Sequence, residues 1–183
     1  MYGRLDGDVD LSVAAGVGYA SEAPILVARA SATYAVTAGA YYGYTEAFGQ
    51  DDAAVGRSFA AGVSMRPLFW ARFANDIERG PARLDLLADS FCFDLGAFWS
   101  APRGRSVELD PGLELAAGIG LPFLEEATGP WIELRAALRY RPIDMAGTSG
   151  ADIGETGAYV SLSFAWHHIL PVHIADAGDR LVR

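Results

Sequence analysis

The stretch from Arg4 to Tyr19 repeats with a period of two. Its odd positions run Leu5, Gly7, Val9, Leu11, Val13, Ala15, Val17, Tyr19, and its even positions run Arg4, Asp6, Asp8, Asp10, Ser12, Ala14, Gly16, Gly18. Successive side chains of an extended strand point to opposite faces, so this is a strand with one apolar face and one polar or tiny-residue face. Strands of soluble sheets usually stop at about 5–6 residues, whereas a strand crossing a bilayer at a tilt needs about 9–11. A two-faced run of this length suits the second situation.

The same alternation returns along the chain. Leu26, Ala28, Ala30, Ala32 and Tyr34 oppose Val27, Arg29, Ser31 and Thr33, and the parity continues through Val36, Ala38, Ala40, Tyr42 and Tyr44. Residues 25–46 are therefore one very long strand or a hairpin turning near Tyr34 to Val36, and the hairpin balances the strand count. Further runs cover Val55 to Arg66, about Arg83 to Trp99 with a bulge or short helical turn near Leu87 to Ser90, Ser106 to Leu121, Ile132 to Arg141, and Ala158 to His167. Polar, Gly-rich or Pro-rich connections separate them, the longest from Pro142 to Gly157. The expected fold is all-β: a single-domain, about eight-stranded antiparallel up-and-down transmembrane barrel over residues 1–183. With the N-terminus on the periplasmic side, the loops at Ser21, Ala47, Ala101 and Pro142 face outward.

One segment breaks the pattern. From Pro67 to Gly80, Phe69, Phe73 and Ile77 recur at helical spacing with Trp70 beside them, Pro67 opens the run, and Gly80-Pro81 closes it. An amphipathic helix over about 67–80 is expected, packed on the barrel end or lying in the membrane interface. A C-terminal tail is expected over about 169–183.

The minority face carries the most information. It holds Asp6, Asp8, Asp10, Arg29, Asp94, Glu108, Asp110, Glu114, Glu133, Arg135, Arg139 and Arg141 among Gly, Ala and Ser. Small residues beside charges of both signs suit a narrow barrel interior, where ions must find partners. The expectation is a charge network that plugs the lumen, with Glu114 near Arg139 if the strands flanking Phe123 to Gly129 pair antiparallel. The majority face ends in Tyr19, Tyr42, Tyr44, Trp99, Trp131, Tyr140 and Trp166, residues expected at a membrane interface, where one end of the ring is apolar and the other wet.

In pattern and strand count, over nearly its whole length, the chain resembles the small outer-membrane β-barrels of the OmpA/OmpX class. That resemblance implies an adhesin, a structural anchor, a tiny pore or a lipid-modifying enzyme. The helix after Arg66 and the residues following Trp166 depart from the class, whose last strand usually ends on an aromatic.

Composition removes other classes. A net charge of -9 offers no basic stripe for phosphates, so no nucleic-acid partner is expected. The single cysteine, Cys92, excludes an intramolecular disulfide and a cysteine-based zinc site. No run of 18 apolar residues occurs, which removes a transmembrane helix and leaves a barrel as the spanning form. The chain opens Met-Tyr-Gly-Arg directly onto the first strand, so the barrel reading expects an export signal outside this sequence. His167, His168 and His173 follow Ser161 and Ser163 but show no His-x-Ser spacing, and they read as interfacial or tail residues. A metal shared by His167 and His173 would lack a nameable third ligand. No phosphate loop, nucleophile elbow or metal motif stands out, so neither enzyme activity nor a cofactor is expected. The role that remains is structural or interactive in an outer membrane, with membrane lipid as one partner and a protein as another, bound through the extracellular loops or the periplasmic helix. The alternatives are a soluble lipocalin-like barrel binding an apolar ligand and a lipid-modifying outer-membrane enzyme.

Overall fold

In the computed structural model, eight antiparallel strands in sequence order close into a barrel, with β1 paired to β8. The structure describes residues 8–20, 23–48, 56–75, 80–101, 111–141 and 156–172. The strands are β1 Val9–Ala20, β2 Pro24–Tyr34, β3 Ala38–Ala47, β4 Arg57–Met65, β5 Cys92–Ala101, β6 Gly112–Pro122, β7 Gly129–Tyr140 and β8 Thr156–Leu170. Two helices, α1 Pro67–Ala74 and α2 Ala82–Asp89, lie between β4 and β5.

The period-two pattern fixes which face points inward. On β1, Asp10, Ser12 and Ala14 are buried while Leu11, Val13, Val17 and Tyr19 are exposed. Cross-strand partners share the same parity: Val13 faces Ala30, and Ala30 faces Tyr42. A slip of one residue would turn every Asp and Ser of a strand outward, so the pattern also fixes the register. Glu114 pairs with Arg139 across β6 and β7, as expected from the antiparallel arrangement of those strands.

Residues 25–46 form a hairpin. The Thr37 N–H donates to the Tyr34 carbonyl at 2.9 Å, and Ala35 and Val36 hold φ of 45° and 56°. Two successive left-handed residues are what a type I′ turn requires, and Gly, Asn or Asp normally supplies them. Val36 is retained there while its side chain is buried in a cluster with Phe69, Leu86, Ala127, Trp131 and Ile169.

The sequence expects one helix over about 67–80, and here the structure differs. α1 ends at Ala74, and a second helix, α2, occupies residues that the sequence reads as the start of a strand. Leu84 and Leu86 are thus helical; Leu86 is buried in the barrel mouth and Leu84 is exposed. Phe69 packs inward with the same cluster. Trp70 and Phe73 lie on α1 but their side chains fall outside the description, and Ile77 lies outside the described residues. Arg72 joins the helices, pairing with Asp89 at 3.1 Å and with Asp85. Ser90 fastens the far end of α2 to β6, its Oγ accepting from the Gly120 N–H at 2.8 Å. The helical pair caps the barrel end that also carries the β2–β3 turn and the 123–128 connection.

Other boundaries move slightly. The strand expected from Ser106 is described from Gly112, residues 102–110 lying outside the described set. The expected tail from 169 starts later, because β8 runs through Leu170 and Ile169 is buried.

Candidate functional site: a charged lumen beneath a helical cap

The inward positions of the strands meet across the barrel in three tiers. Nearest the helical cap, Asp10 of β1 accepts from Arg66, which follows β4, at 2.6 Å. The same carboxylate lies 3.3 Å from Nδ1 of His167 on β8, and Nε2 of His167 lies 3.0 Å from Glu133 of β7. The Trp131 ring lies against this imidazole, the centroids 4.8 Å apart.

In the middle tier, Arg29 of β2 reaches across the lumen to Asp94 of β5 at 3.2 Å, and Arg135 of β7 pairs with the same carboxylate. The Tyr41 ring lies between these guanidinium groups, 5.5 Å from that of Arg29 and 5.2 Å from that of Arg135. Toward the far end, Glu114 accepts from Arg139 at 2.7 Å, Arg135 at 3.0 Å and the Tyr41 hydroxyl at 3.2 Å. Arg139 also donates to Ser58 at 2.6 Å, and its guanidinium stacks 4.8 Å from the Tyr159 ring centre. Arg141 donates to Ser100 at 2.6 Å and lies over Phe98.

Charges buried this deeply persist only with partners, because each costs several kcal/mol to remove from water. The arrangement meets that condition: Asp10, Asp94, Glu114 and Glu133 each face at least one cationic or imidazole group. Two small cavities among the described residues interrupt the packing. One of about 40 Å³ lies beneath Leu86 and Asp89 of α2 and is bordered by Asp10, Arg66, Glu133 and His167. The other, about 20 Å³, touches Ala14, Thr45 and Tyr159. Both reach Arg29, Glu133 and Arg135. A water molecule needs roughly 10–15 Å³ of such space, so the larger cavity has room for a few waters.

The expected lumen residues divide as follows. Asp10, Arg29, Asp94, Glu114, Glu133, Arg135 and Arg139 converge in the network, and Arg141 sits at its far end. Asp8 is half-buried, its N–H donating to the Leu170 carbonyl at 3.0 Å. Asp6, Glu108 and Asp110 lie outside the described residues.

Among the expected interface aromatics, Tyr19, Tyr42, Tyr140 and Trp166 are exposed on the outer face, while Tyr44 and Trp99 are half-buried. Trp131 is a correction. It shares the parity of Glu133 and Arg135, is 4% exposed, and donates its indole N–H to the Ala127 carbonyl at 3.1 Å. His167 is a second correction, being a buried lumen residue; His168 points outward, and His173 lies outside the described residues.

Sequence reasoning missed Arg66, Tyr41, His167 and the pairing of Arg72 with Asp85 and Asp89. The signals were present: Arg66 continues the parity of Ser58 and Ser64, and Asp85 and Asp89 stand four residues apart on one helix face. Among the described residues, no group of three or more His, Cys, Asp or Glu side chains is placed to hold a metal ion. No described helix is long and apolar enough to cross a membrane. Comparison with known proteins finds no family model, no curated protein and no solved structure that matches the chain.

Proposed function

We propose that this chain is an outer-membrane β-barrel of the Gram-negative cell envelope with a structural or interaction role, non-enzymatic, its lumen plugged by the charge network. The observation that carries this reading is the direction of polarity. The outward face presents Val17 and Leu138 at 62% exposure, Phe164 at 56% and Leu121 at 53%, while Asp94 and Glu114 inside are at 2% and 1%. A barrel in water has the opposite need, an apolar interior and a wet exterior. Lipid is the surrounding in which this outer surface is satisfied and the inner one stays paired.

Strand length and aromatic placement support the same reading. Strands of 9 to 15 residues match or exceed the roughly 9–11 that a tilted crossing needs. Outward aromatics fall near both barrel ends, with Tyr34, Phe93 and Trp166 toward the capped end and Tyr19, Trp99 and Tyr140 toward the other. On this topology the helical cap is periplasmic, and a protein partner would meet either that cap or the extracellular connections.

The lipocalin-like alternative would place an apolar ligand where Arg29, Asp94, Arg135 and Glu114 now meet. The lipid-modifying alternative would need a Ser and a His together at the end away from the cap, but His167 sits next to the cap and faces two carboxylates. Fractionation of the natively expressed protein, followed by gel mobility with and without boiling, tests the proposal. The expected result is recovery with the outer membrane and a mobility shift on boiling. Recovery as a soluble protein without detergent would overturn it.

A further inference from the structure

We infer that His167 is a proton-binding latch on the seam that closes the barrel. The ring stands where three strands meet: it belongs to β8, its Nδ1 faces Asp10 of β1, and its Nε2 faces Glu133 of β7. β8 is the strand that closes the barrel onto β1. A carboxylate only accepts, so a ring that hydrogen-bonds a carboxylate at each nitrogen must carry a proton on both. A neutral imidazole donates from one nitrogen and turns a lone pair toward the other carboxylate.

The surrounding charges make that proton count. Arg66 pairs with Asp10, and with a doubly protonated His167 two positive groups face the two carboxylates. Arg29 and Arg135 border the same cavity but are engaged by Asp94, and Arg135 also by Glu114. Asp89 of α2 is engaged by Arg72. Cys92 on β5 completes the titratable groups around the cavity among the described residues. Loss of one ring proton therefore leaves a negative charge in excess at the seam, beneath the cap.

The cavity gives the proton a route. It borders His167 directly and has room for a few waters, which accept the proton as the N–H bond breaks, with its electron pair remaining on nitrogen. The device thus responds to pH through the water held in this cavity, and its protonated state holds β8 to β1 and β7. The inference rests on the closed barrel and its interior alone, so it stands or falls separately from the membrane assignment.

Nitrogen-15 NMR of the histidine-labelled, folded full chain tests it, with His168→Gln helping to separate the resonances because that side chain points outward. The expected result near pH 6 is a His167 ring with both nitrogens protonated. Raising the pH through the ring's titration should lower the folded-to-unfolded ratio about tenfold, and His167→Gln should remove that dependence. A neutral His167 ring at pH 6, or stability profiles that run parallel in the wild type and in His167→Gln, would overturn the inference. If the variant does not fold, the protonation state of the wild-type ring decides alone.

Discussion

At the scale of single residues, the lumen separates side chains that carry a charge from those that answer it. Glu114 is 1% exposed and accepts from Arg135, Arg139 and Tyr41. Glu114→Ala removes the acceptor but leaves the guanidinium groups buried, so a loss of about 3–5 kcal/mol is expected in the unfolding free energy from urea titration of the refolded barrel. Trp131 and Trp166 make a second, paired test. Trp131→Ala empties a buried site at the capped mouth and should cost about 3–5 kcal/mol, whereas Trp166→Ala, on the outer face, should leave the urea midpoint in detergent nearly unchanged. Equal effects would mean that the two rings have similar surroundings. Parity alone placed Arg29, Asp94, Glu114, Glu133, Arg135 and Arg139 inside, because a strand offers only two faces. Trp131 departs from the interface expectation because its parity with Glu133 and Arg135, not its residue type, decides which face it takes. The partners of His167 were not legible, since Asp10 and Glu133 reach it through strand pairings that join distant parts of the chain.

At the scale of elements, turns and helices hold the departures from simple alternation. Ala35 sits at φ 45°, a region costing an L-residue roughly 1–2 kcal/mol that glycine enters freely. Ala35→Gly is expected to stabilise the hairpin by about 0.5–1 kcal/mol, read as a higher urea midpoint. Val36→Gly relieves a similar strain but gives up a side chain buried against Phe69 and Leu86, so it should not stabilise. In the cap, Arg72→Ala leaves the buried Asp85 and Asp89 without their shared guanidinium. Hydrogen exchange should then quicken in α1 and α2 while the amides of β1 and β7 stay protected. The existence of a helix was legible from the spacing of Phe69, Phe73 and Ile77 between Pro67 and Gly80-Pro81. The division into two helices was not, because Leu84 and Leu86 are too few to distinguish a strand period from a helical one. The helical sign there was Asp85 with Asp89, whose meaning depends on Arg72 of the other helix.

At the scale of the whole molecule, alternation repeated around a closed sheet yields a body with a charged interior and an apolar outer face. Strand number and order were legible because each two-faced run must find a neighbour of like parity, and closure leaves no edge unpaired. The interior tiers were legible as a set but, apart from Glu114 with Arg139 on neighbouring strands, not as pairs, because contacts across a barrel depend on the stagger between strands. Closure also has a consequence in time. Register pairs Val9 with Leu170, so the contact that completes the ring joins nearly the two most distant residues of the described chain. Until β8 arrives, β1 and the last strand formed are both open edges, each a template for another chain, and such long-range pairing is slow. A chain ending before Thr156 should therefore form sheet yet stay unclosed, and light scattering during refolding should show it aggregating where the full chain does not. The hazard of this fold lies in the interval before its final strand docks.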